Sequence, residues 1–141
     1  MTENQNIFRM ANQILNKEDI AMLSPLQLAY IGDAVYELMV RTYIMDKDLN
    51  VNQLHKKATK YVKANAQSEI VHYLEETLTE DEKQIVKRGR NAKTNTSPKN
   101  SSMIDYKYAT GFESLFGYLY LTEQYGRIHT LFDKIKEFEK N

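Results

Sequence analysis

The sequence predicts an all-α fold built as a single domain. Glycine and proline, which interrupt helices, number only five and two in 141 residues, whereas residues of high helix propensity are plentiful. Apolar side chains recur at helical spacing in most segments, and no segment has the convincing alternation of a half-buried strand. A chain of this length is expected to bury one core rather than two.

The composition argues against several classes of protein. There is no cysteine, so neither a disulfide framework nor a thiolate metal site is expected, which fits a reducing compartment. The N-terminal residues 1–9 are polar and no apolar run reaches membrane-spanning length, so we expect neither a signal peptide nor a membrane anchor. The sequence therefore predicts a cytoplasmic protein that does not contact a membrane.

Capping signals define two of the predicted helices. Ser24 followed by Pro25 starts a helix that should run to about residue 45. Thr79 and Glu82 form a capping box for a helix that should run to about residue 88. Hydrophobic periodicity alone predicts the remaining helices, which cover residues 6–15, 52–78 (continuous, or broken near Asn65), 104–122 and 128–138.

Basic residues are concentrated in two segments, although the formal net charge is zero. Residues 49–68 contain no acid and carry Lys56, Lys60 and Lys63, which are spaced to share one helical face. This pattern is expected of a surface that follows phosphates. An ordinary solvated helix face would give the same pattern, so the lysines alone do not decide between the two interpretations.

The second basic segment, residues 83–103, is the stronger candidate for a nucleic-acid surface. It contains no acid and several cations, and asparagine, serine and threonine side chains lie between them. Such side chains commonly bond phosphate and sugar oxygens. A polar stretch without periodicity, residues 93–102, should form a loop at the end of this segment.

Two carboxylates occupy the two most apolar helices. Asp33 lies within residues 26–40 and Glu113 within residues 108–121. An acid in such a setting is costly unless a cation meets it. A lone acid in an apolar helix is more often a structural group than a metal ligand, but these two helices must pack against each other. Hard cations such as Mg²⁺ bind oxygen ligands and often need only one or two carboxylates plus a substrate phosphate.

Two neighbours of Asp33 have simpler predicted roles. Gly32 directly precedes the acid and would let another backbone approach closely. Glu37 lies one turn after Asp33 and one turn before Arg41, so we expect it to form an intrahelical ion pair with the arginine.

Five segments together resemble the ribonuclease III family. Residues 29–37, Ala-Tyr-Ile-Gly-Asp-Ala-Val-Tyr-Glu, resemble its signature helix, and residues 108–121 resemble its second catalytic helix. Residues 54–59, 87–93 and 97–100 are similar to the stand-alone bacterial form, the mini-ribonuclease III group. The resemblance covers nearly the whole chain.

This resemblance implies a dimeric helical bundle, the ribonuclease III endonuclease domain, that cleaves double-stranded RNA and leaves 5′-phosphate ends. It implies that residues 1–141 form one catalytic domain without a double-stranded-RNA-binding domain. Asp33 and Glu113 would be the catalytic, metal-binding residues, with Mg²⁺ as cofactor and Mn²⁺ able to substitute. The substrate implied is the precursor of large-subunit (23S) ribosomal RNA, and a ribosomal protein is a further candidate partner. The residues expected to contact RNA are His55, Lys56, Lys60, Arg88, Arg90, Asn91, Lys93, Lys99 and Asn100.

The chain departs from the full-length enzymes at three positions. Those enzymes carry further acids where this sequence has Leu26, Ala29 and Thr110, so we expect a metal site with two protein carboxylates. The same departures motivate an alternative, a non-catalytic RNA-binding scaffold with a ribonuclease III fold. A helical interaction protein without any RNA role is a second alternative, which the acid-free basic segment disfavours.

Overall fold

The structure is a computed structural model that describes residues 6–93 and 102–140. Over these residues it confirms the all-α prediction, because every regular element is helical. The α-helices are α1 (Lys17–Ala21), α2 (Pro25–Ile44), α3 (Val51–Val62), α4 (Ala64–Leu74), α5 (Glu80–Arg90), α6 (Met103–Leu121) and α7 (Tyr125–Lys140). None of these helices is both long enough and apolar enough to span a membrane.

The two predicted capping signals are confirmed. The Ser24 hydroxyl accepts a hydrogen bond from the Gln27 backbone N–H at 3.1 Å, and Pro25 occupies the first turn of α2. The Thr79 hydroxyl likewise accepts from the Glu82 backbone N–H at 3.1 Å to start α5. Each cap satisfies a backbone donor that the helix itself leaves unpaired.

The predicted helix over residues 6–15 is wrong. Only a 3₁₀ turn forms there, at Arg9–Asn12. The reason is local competition, because asparagine side chains bond backbone N–H groups that an α-helix would otherwise use. The Asn6 side chain accepts from the Phe8 N–H at 2.8 Å, and the Asn12 side chain accepts from the Leu15 N–H at 3.2 Å.

The predicted helix over residues 52–78 is broken into two, which was one of the two predicted alternatives. The break falls at Lys63, whose ψ of 155° is extended. Lys63 itself keeps a helical φ of −67°, and its N–H donates to the Thr59 carbonyl oxygen at 3.3 Å, so its Cα still continues α3, as the prediction that the three lysines share one face requires. A 3₁₀ turn at Glu75–Thr77 follows α4, and the short α1 is a helix that was not predicted from the sequence.

Helices α2 and α6 pack against each other at the centre of the molecule. Tyr36 of α2 is buried edge-on against Phe112 and Phe116 of α6, with ring centroids 4.7 and 5.3 Å apart. Such aromatic pairs add to the stabilisation that comes from burial alone. The Tyr36 hydroxyl donates to the Tyr61 carbonyl oxygen at 2.9 Å, so α3 joins the same core.

Two glycines allow the α2 and α6 backbones to touch. A Cβ atom at Gly32 would overlap the carbonyl oxygen of Glu113, and a Cβ atom at Gly117 would overlap that of Leu28. Between these contacts the buried Ser114 hydroxyl donates to the Pro25 carbonyl oxygen at 2.8 Å. The predicted close approach at Gly32 is confirmed, and it fixes the register of one helix along the other.

Two arginines, the buried Arg9 and the half-buried Arg127, attach the outer segments to this central pair. The Arg127 guanidinium of α7 donates to both carboxylate oxygens of Glu82, each at 2.8 Å, and its Nη2 also donates to the Thr77 carbonyl oxygen. At the other end, Arg9 Nε donates to the Leu121 carbonyl oxygen at 2.8 Å. A cation at the end of α6 is favourable because the last carbonyls of a helix carry partial negative charge.

Candidate active site

Asp33 and Glu113 meet where α2 crosses α6. Asp33 is exposed and Glu113 is half-buried, and their carboxyl groups are within hydrogen-bonding contact. Burial, together with the negative charge of Asp33, raises the pKa of Glu113 to about 8. The helix packing therefore holds two acids in contact despite their repulsion.

The two acids lie on an open cavity of about 660 Å³. Leu26, Ala29 and Thr110, the three positions at which the resemblance implies further acids, line the same cavity. These departures from the family pattern are therefore located at the site itself. Within residues 6–93 and 102–140, no group of three or more histidine, aspartate or glutamate side chains is placed to hold a metal ion.

The donor set nevertheless fits a hard divalent cation. Both donors are carboxylate oxygens, which Mg²⁺ and Mn²⁺ prefer. Mg²⁺ retains several waters and is commonly held by one or two carboxylates plus a phosphate of the substrate. A cation between Asp33 and Glu113 would relieve the repulsion that raises the pKa of Glu113.

Gln67 is a residue of this site that the sequence reasoning missed. It lies in the first turn of α4, is 2% exposed, and its side-chain amide hydrogen-bonds the Glu113 carboxyl. The same amide donates to the Val62 carbonyl oxygen at 3.0 Å. No sequence pattern marks this glutamine, because its importance arises only from the packing of α4 on α6.

Glu37 connects the acid cavity to a second one. The predicted ion pair is confirmed, since the Arg41 guanidinium lies 3.0 Å from the Glu37 carboxylate. Glu37 lines both the acid cavity and a neighbouring cavity of about 240 Å³ between α2 and α3. His55 lines that second cavity, so the structure brings this predicted RNA-contacting residue close to the acid pair.

The other predicted RNA-contacting residues lie mostly on exposed surfaces. Lys56 and Lys60 are exposed on α3, and three more are exposed at or beyond the end of α5: Arg88, Asn91 and Lys93. Lys99 and Asn100 lie outside the described residues.

Arg90 differs from these residues because it is half-buried. Its guanidinium donates to the Tyr108 hydroxyl at 3.2 Å and lies over the Tyr108 ring, 5.4 Å from the ring centroid. Arg90 is thus attached to α6 at Tyr108, which lies five residues before Glu113 in that helix.

Comparison with known proteins agrees with this geometry. The sequence profile of the ribonuclease III domain matches residues 26–124. A mini-ribonuclease 3 from Clostridium tetani is 51% identical over 117 residues, which cover 82% of this chain and 78% of that protein. A mini-ribonuclease 3 from a Thermoanaerobacter species is 52% identical over 122 residues, 86% of each chain.

A solved structure supports the same assignment. The X-ray crystal structure of a protein from Fusobacterium nucleatum superposes with a TM-score of 0.77 at 34% sequence identity, covering 86% of this chain and 98% of that one. The residues matched by the family profile include both Asp33 of α2 and Glu113 of α6. The chain therefore belongs to the ribonuclease III family, within its mini-ribonuclease 3 group.

Proposed function

We propose that this double-stranded-RNA endoribonuclease uses Asp33 and Glu113 as its catalytic carboxylates, with Mg²⁺ as the cofactor and Mn²⁺ able to replace it. The observation that carries the proposal is the contact between the two acids on one open cavity. Two structural acids would be expected to have cationic partners of their own, and neither Asp33 nor Glu113 forms an ion pair with any residue in 6–93 or 102–140.

The protein's own groups would orient the reacting phosphate. When bound, the divalent ion supplies a more acidic water and stabilises the departing oxygen. Asp33 and Glu113 would fix its position, and the open cavity would admit a phosphodiester backbone. We expect cleavage to produce 5′-phosphate and 3′-hydroxyl ends, as the family resemblance implies.

The basic residues would hold the duplex beside the cavity. Double-stranded RNA is recognised mainly through its shape, phosphates and 2′-hydroxyl groups, so exposed cations are sufficient without a reading helix. His55 lies on the cavity that shares Glu37 with the acid site, and Lys56 and Lys60 are exposed on the same helix. The proposed contacts at the other segment are Arg88, Arg90, Asn91, Lys93, Lys99 and Asn100.

We further propose that the protein is a homodimer whose two sites cut opposite strands. Helix α2 leaves large apolar side chains in solvent: Tyr30 is 85% exposed, Leu38 52% and Leu26 42%. A row of this kind favours self-association through a two-fold interface. Leu38→Glu should therefore give a monomeric mass in sedimentation, and a wild-type protein that is already monomeric would contradict the proposal.

The proposed substrate is the precursor of 23S ribosomal RNA, whose paired ends would be trimmed in the cytoplasm. The support is the similarity to mini-ribonuclease 3 proteins over most of the chain. A single catalytic domain without a double-stranded-RNA-binding domain, and a ribosomal protein as helper, are part of the same proposal. Cleavage of precursor transcripts with and without ribosomal proteins tests the substrate and the need for a helper.

One experiment separates catalysis from binding alone. Labelled duplex RNA is incubated with Mg²⁺ and the wild type, Asp33→Asn, or the matched control Asp133→Asn, which alters an exposed acid on α7. We expect cleavage by the wild type and the control and none by Asp33→Asn. Binding without cleavage by all three would instead support the non-catalytic scaffold, and absence of binding would support a protein with no RNA role.

A further inference from the structure

Gln67 occupies an unusual position for an amide side chain. It is almost completely buried, at 2% exposure, among the apolar residues that join α4 to α6. A buried amide must form its hydrogen bonds inside the protein or destabilise the fold by about 1–3 kcal/mol. Its bonding partners therefore indicate what the residue does.

One partner of Gln67 is structural. Helix α3 ends at Val62 because Lys63 is extended, so the Val62 carbonyl oxygen lies in the last turn, where helical carbonyls lack intrahelical partners. Gln67 Nε2 donates to this oxygen at 3.0 Å. This bond ties the amide to the junction between α3 and α4.

The other partner is Glu113. The Gln67 amide donates to the Glu113 carboxyl and favours its ionised form, against burial and the charge of Asp33. An amide nitrogen has two N–H groups, so Gln67 can serve Val62 and Glu113 together. The Gln67 side chain is then fixed by two hydrogen bonds, and the Glu113 carboxyl is held by a residue of α4.

The remaining polar atom of the Gln67 amide is its oxygen, Oε1. Gln67 Oε1 is buried and accepts no hydrogen bond from the residues that the structure describes. A buried polar atom without a partner is destabilising, so its presence calls for an explanation beyond the packing of α4.

We propose that Gln67 is a positioning residue of the acid pair, holding the Glu113 carboxylate in the orientation that binds the divalent cation with Asp33. This inference rests on the proposed function, because it presumes that the two acids bind that cation. Groups that orient metal ligands commonly change metal affinity about 10–100-fold when they are removed. Gln67 would also connect the catalytic centre to α3, which carries His55, Lys56 and Lys60.

The test measures metal affinity directly, with Mn²⁺ as the probe and electron paramagnetic resonance as the readout. Gln67→Met keeps the length of the side chain and removes both N–H donors. Val71→Ala is the control for lost stability, because Val71 is buried on the same helix and does not line the acid cavity. Thermal melting establishes that each variant is folded and how much stability it has lost.

We expect Gln67→Met to bind Mn²⁺ about ten-fold more weakly or worse, and Val71→Ala to bind it as the wild type does. In cleavage assays, Gln67→Met should need more Mg²⁺ for half-maximal activity and recover at saturating Mg²⁺. If Gln67→Met does not fold, Gln67→Asn replaces it, since the shorter amide cannot span Val62 and Glu113 together. Unchanged affinity in the folded Gln67 variant, or an equal loss in Val71→Ala, would overturn the proposal.

Asp33→Asn in the same series keeps the two proposals separable. If Mn²⁺ affinity is unaffected by Asp33→Asn, the two-carboxylate site is wrong, and the role of Gln67 falls with it. If Asp33→Asn abolishes binding and Gln67→Met leaves it intact, the metal site stands and only the positioning role is refuted.

Discussion

Gly32 packs directly against the backbone carbonyl of Glu113, so the residue before one acid contacts the main chain of the other. The contact sets both the distance between α2 and α6 and their register. With Gly117 packed in the same way against Leu28, it leaves α6 little freedom to slide or rotate on α2. The acid pair is therefore positioned by backbone contact rather than by flexible side chains.

Gly32→Ala should strongly destabilise the protein. The added methyl group would overlap the Glu113 carbonyl oxygen, and a backbone atom cannot move aside as a side-chain tip can. We expect a loss of at least about 3 kcal/mol in the free energy of unfolding, at the upper end of the cost of overpacking. Chemical denaturation measures it.

Gly126→Ala is the matched control for Gly32→Ala. A Cβ atom at Gly126, near the start of α7, meets nothing within 4 Å, and alanine is a better helix former than glycine. This variant should be as stable as the wild type or slightly more so. If Gly32→Ala behaves like the control, the close approach of α2 and α6 is not real.

The acid pair was predictable because two mostly apolar helices in a small domain have to pack together. The sequence indicated Asp33, Glu113 and the role of Gly32 from this reasoning alone. It could not reveal that the partner of Gly32 is the carbonyl of Glu113 itself, because that depends on the crossing point of the helices. The capping signals were equally predictable from the sequence, since the residues of each capping box lie within four consecutive positions.

Long-range polar contacts were not predictable in the same way. Gln67 and Arg9 are buried polar residues whose partners, Glu113 and Leu121, lie far along the chain. The failed helix over residues 6–15 has a different cause. Its apolar residues have helical spacing, but asparagine side chains in the segment accept hydrogen bonds from the backbone N–H groups. Hydrophobic periodicity carries no information about such side-chain bonds.

The raised pKa of Glu113 makes the stability of the metal-free protein depend on pH. A glutamate whose pKa rises on folding from 4.5 to about 8 contributes stability that is complete below pH 4.5 and is lost as the pH rises through 8. Glu113→Gln keeps the shape of the side chain and removes its charge. In the presence of a chelator at about pH 9, the free energy of unfolding of Glu113→Gln should exceed that of the wild type by at least about 1 kcal/mol, since one pKa unit corresponds to about 1.4 kcal/mol.

At about pH 5 the advantage of Glu113→Gln should disappear, because the wild-type carboxyl is then protonated as well. Glu69→Gln, at an exposed position of α4, is the control and should show no such dependence. Mg²⁺ should abolish or reverse the difference at high pH, since cation binding favours the ionised carboxylate. A constant difference between Glu113→Gln and the wild type at both pH values would contradict the raised pKa of Glu113.

The Glu82–Arg127 ion pair should be the most costly one to break among those described here. Glu82 is 4% exposed, and both of its oxygens accept from the guanidinium. Burial alone would raise the pKa of Glu82, but the hydrogen bonds and charge of Arg127 outweigh it and lower that pKa. This stability is therefore present above the unfolded pKa of 4.5 and is lost as the pH falls through the lower folded pKa.

Glu82→Gln should lower the free energy of unfolding at neutral pH by about 2 kcal/mol, because it leaves the half-buried Arg127 without its charge partner and weakens two charged hydrogen bonds. Asp133→Asn breaks an exposed pair with Lys136 and should cost less than about 1 kcal/mol. Denaturation at neutral pH compares the two variants directly. Equal costs would mean that Glu82 is solvated in solution and that α7 is held to α5 mainly by apolar contacts.

The two arginines of α5 should affect RNA binding differently. Arg88 is exposed, whereas Arg90 is attached to Tyr108. If both neutralise phosphates, replacing either by alanine should reduce the slope of log binding constant against log salt by about 1. Only Arg90→Ala should also lower the melting temperature, because it removes a packed guanidinium as well as a charge.

Lys17→Ala, at an exposed lysine of α1 outside both basic segments, is the control for the loss of one positive charge. Binding of duplex RNA by each catalytically inactive double variant with Asp33→Asn, titrated over a range of salt concentrations, gives the slopes without cleavage. A slope that Arg88→Ala leaves unchanged would exclude Arg88 from the RNA path. If Lys17→Ala reduces the slope equally, Lys17 contacts RNA as well and the binding surface is not confined to the two basic segments, because only a contacting cation releases counterions from its phosphate.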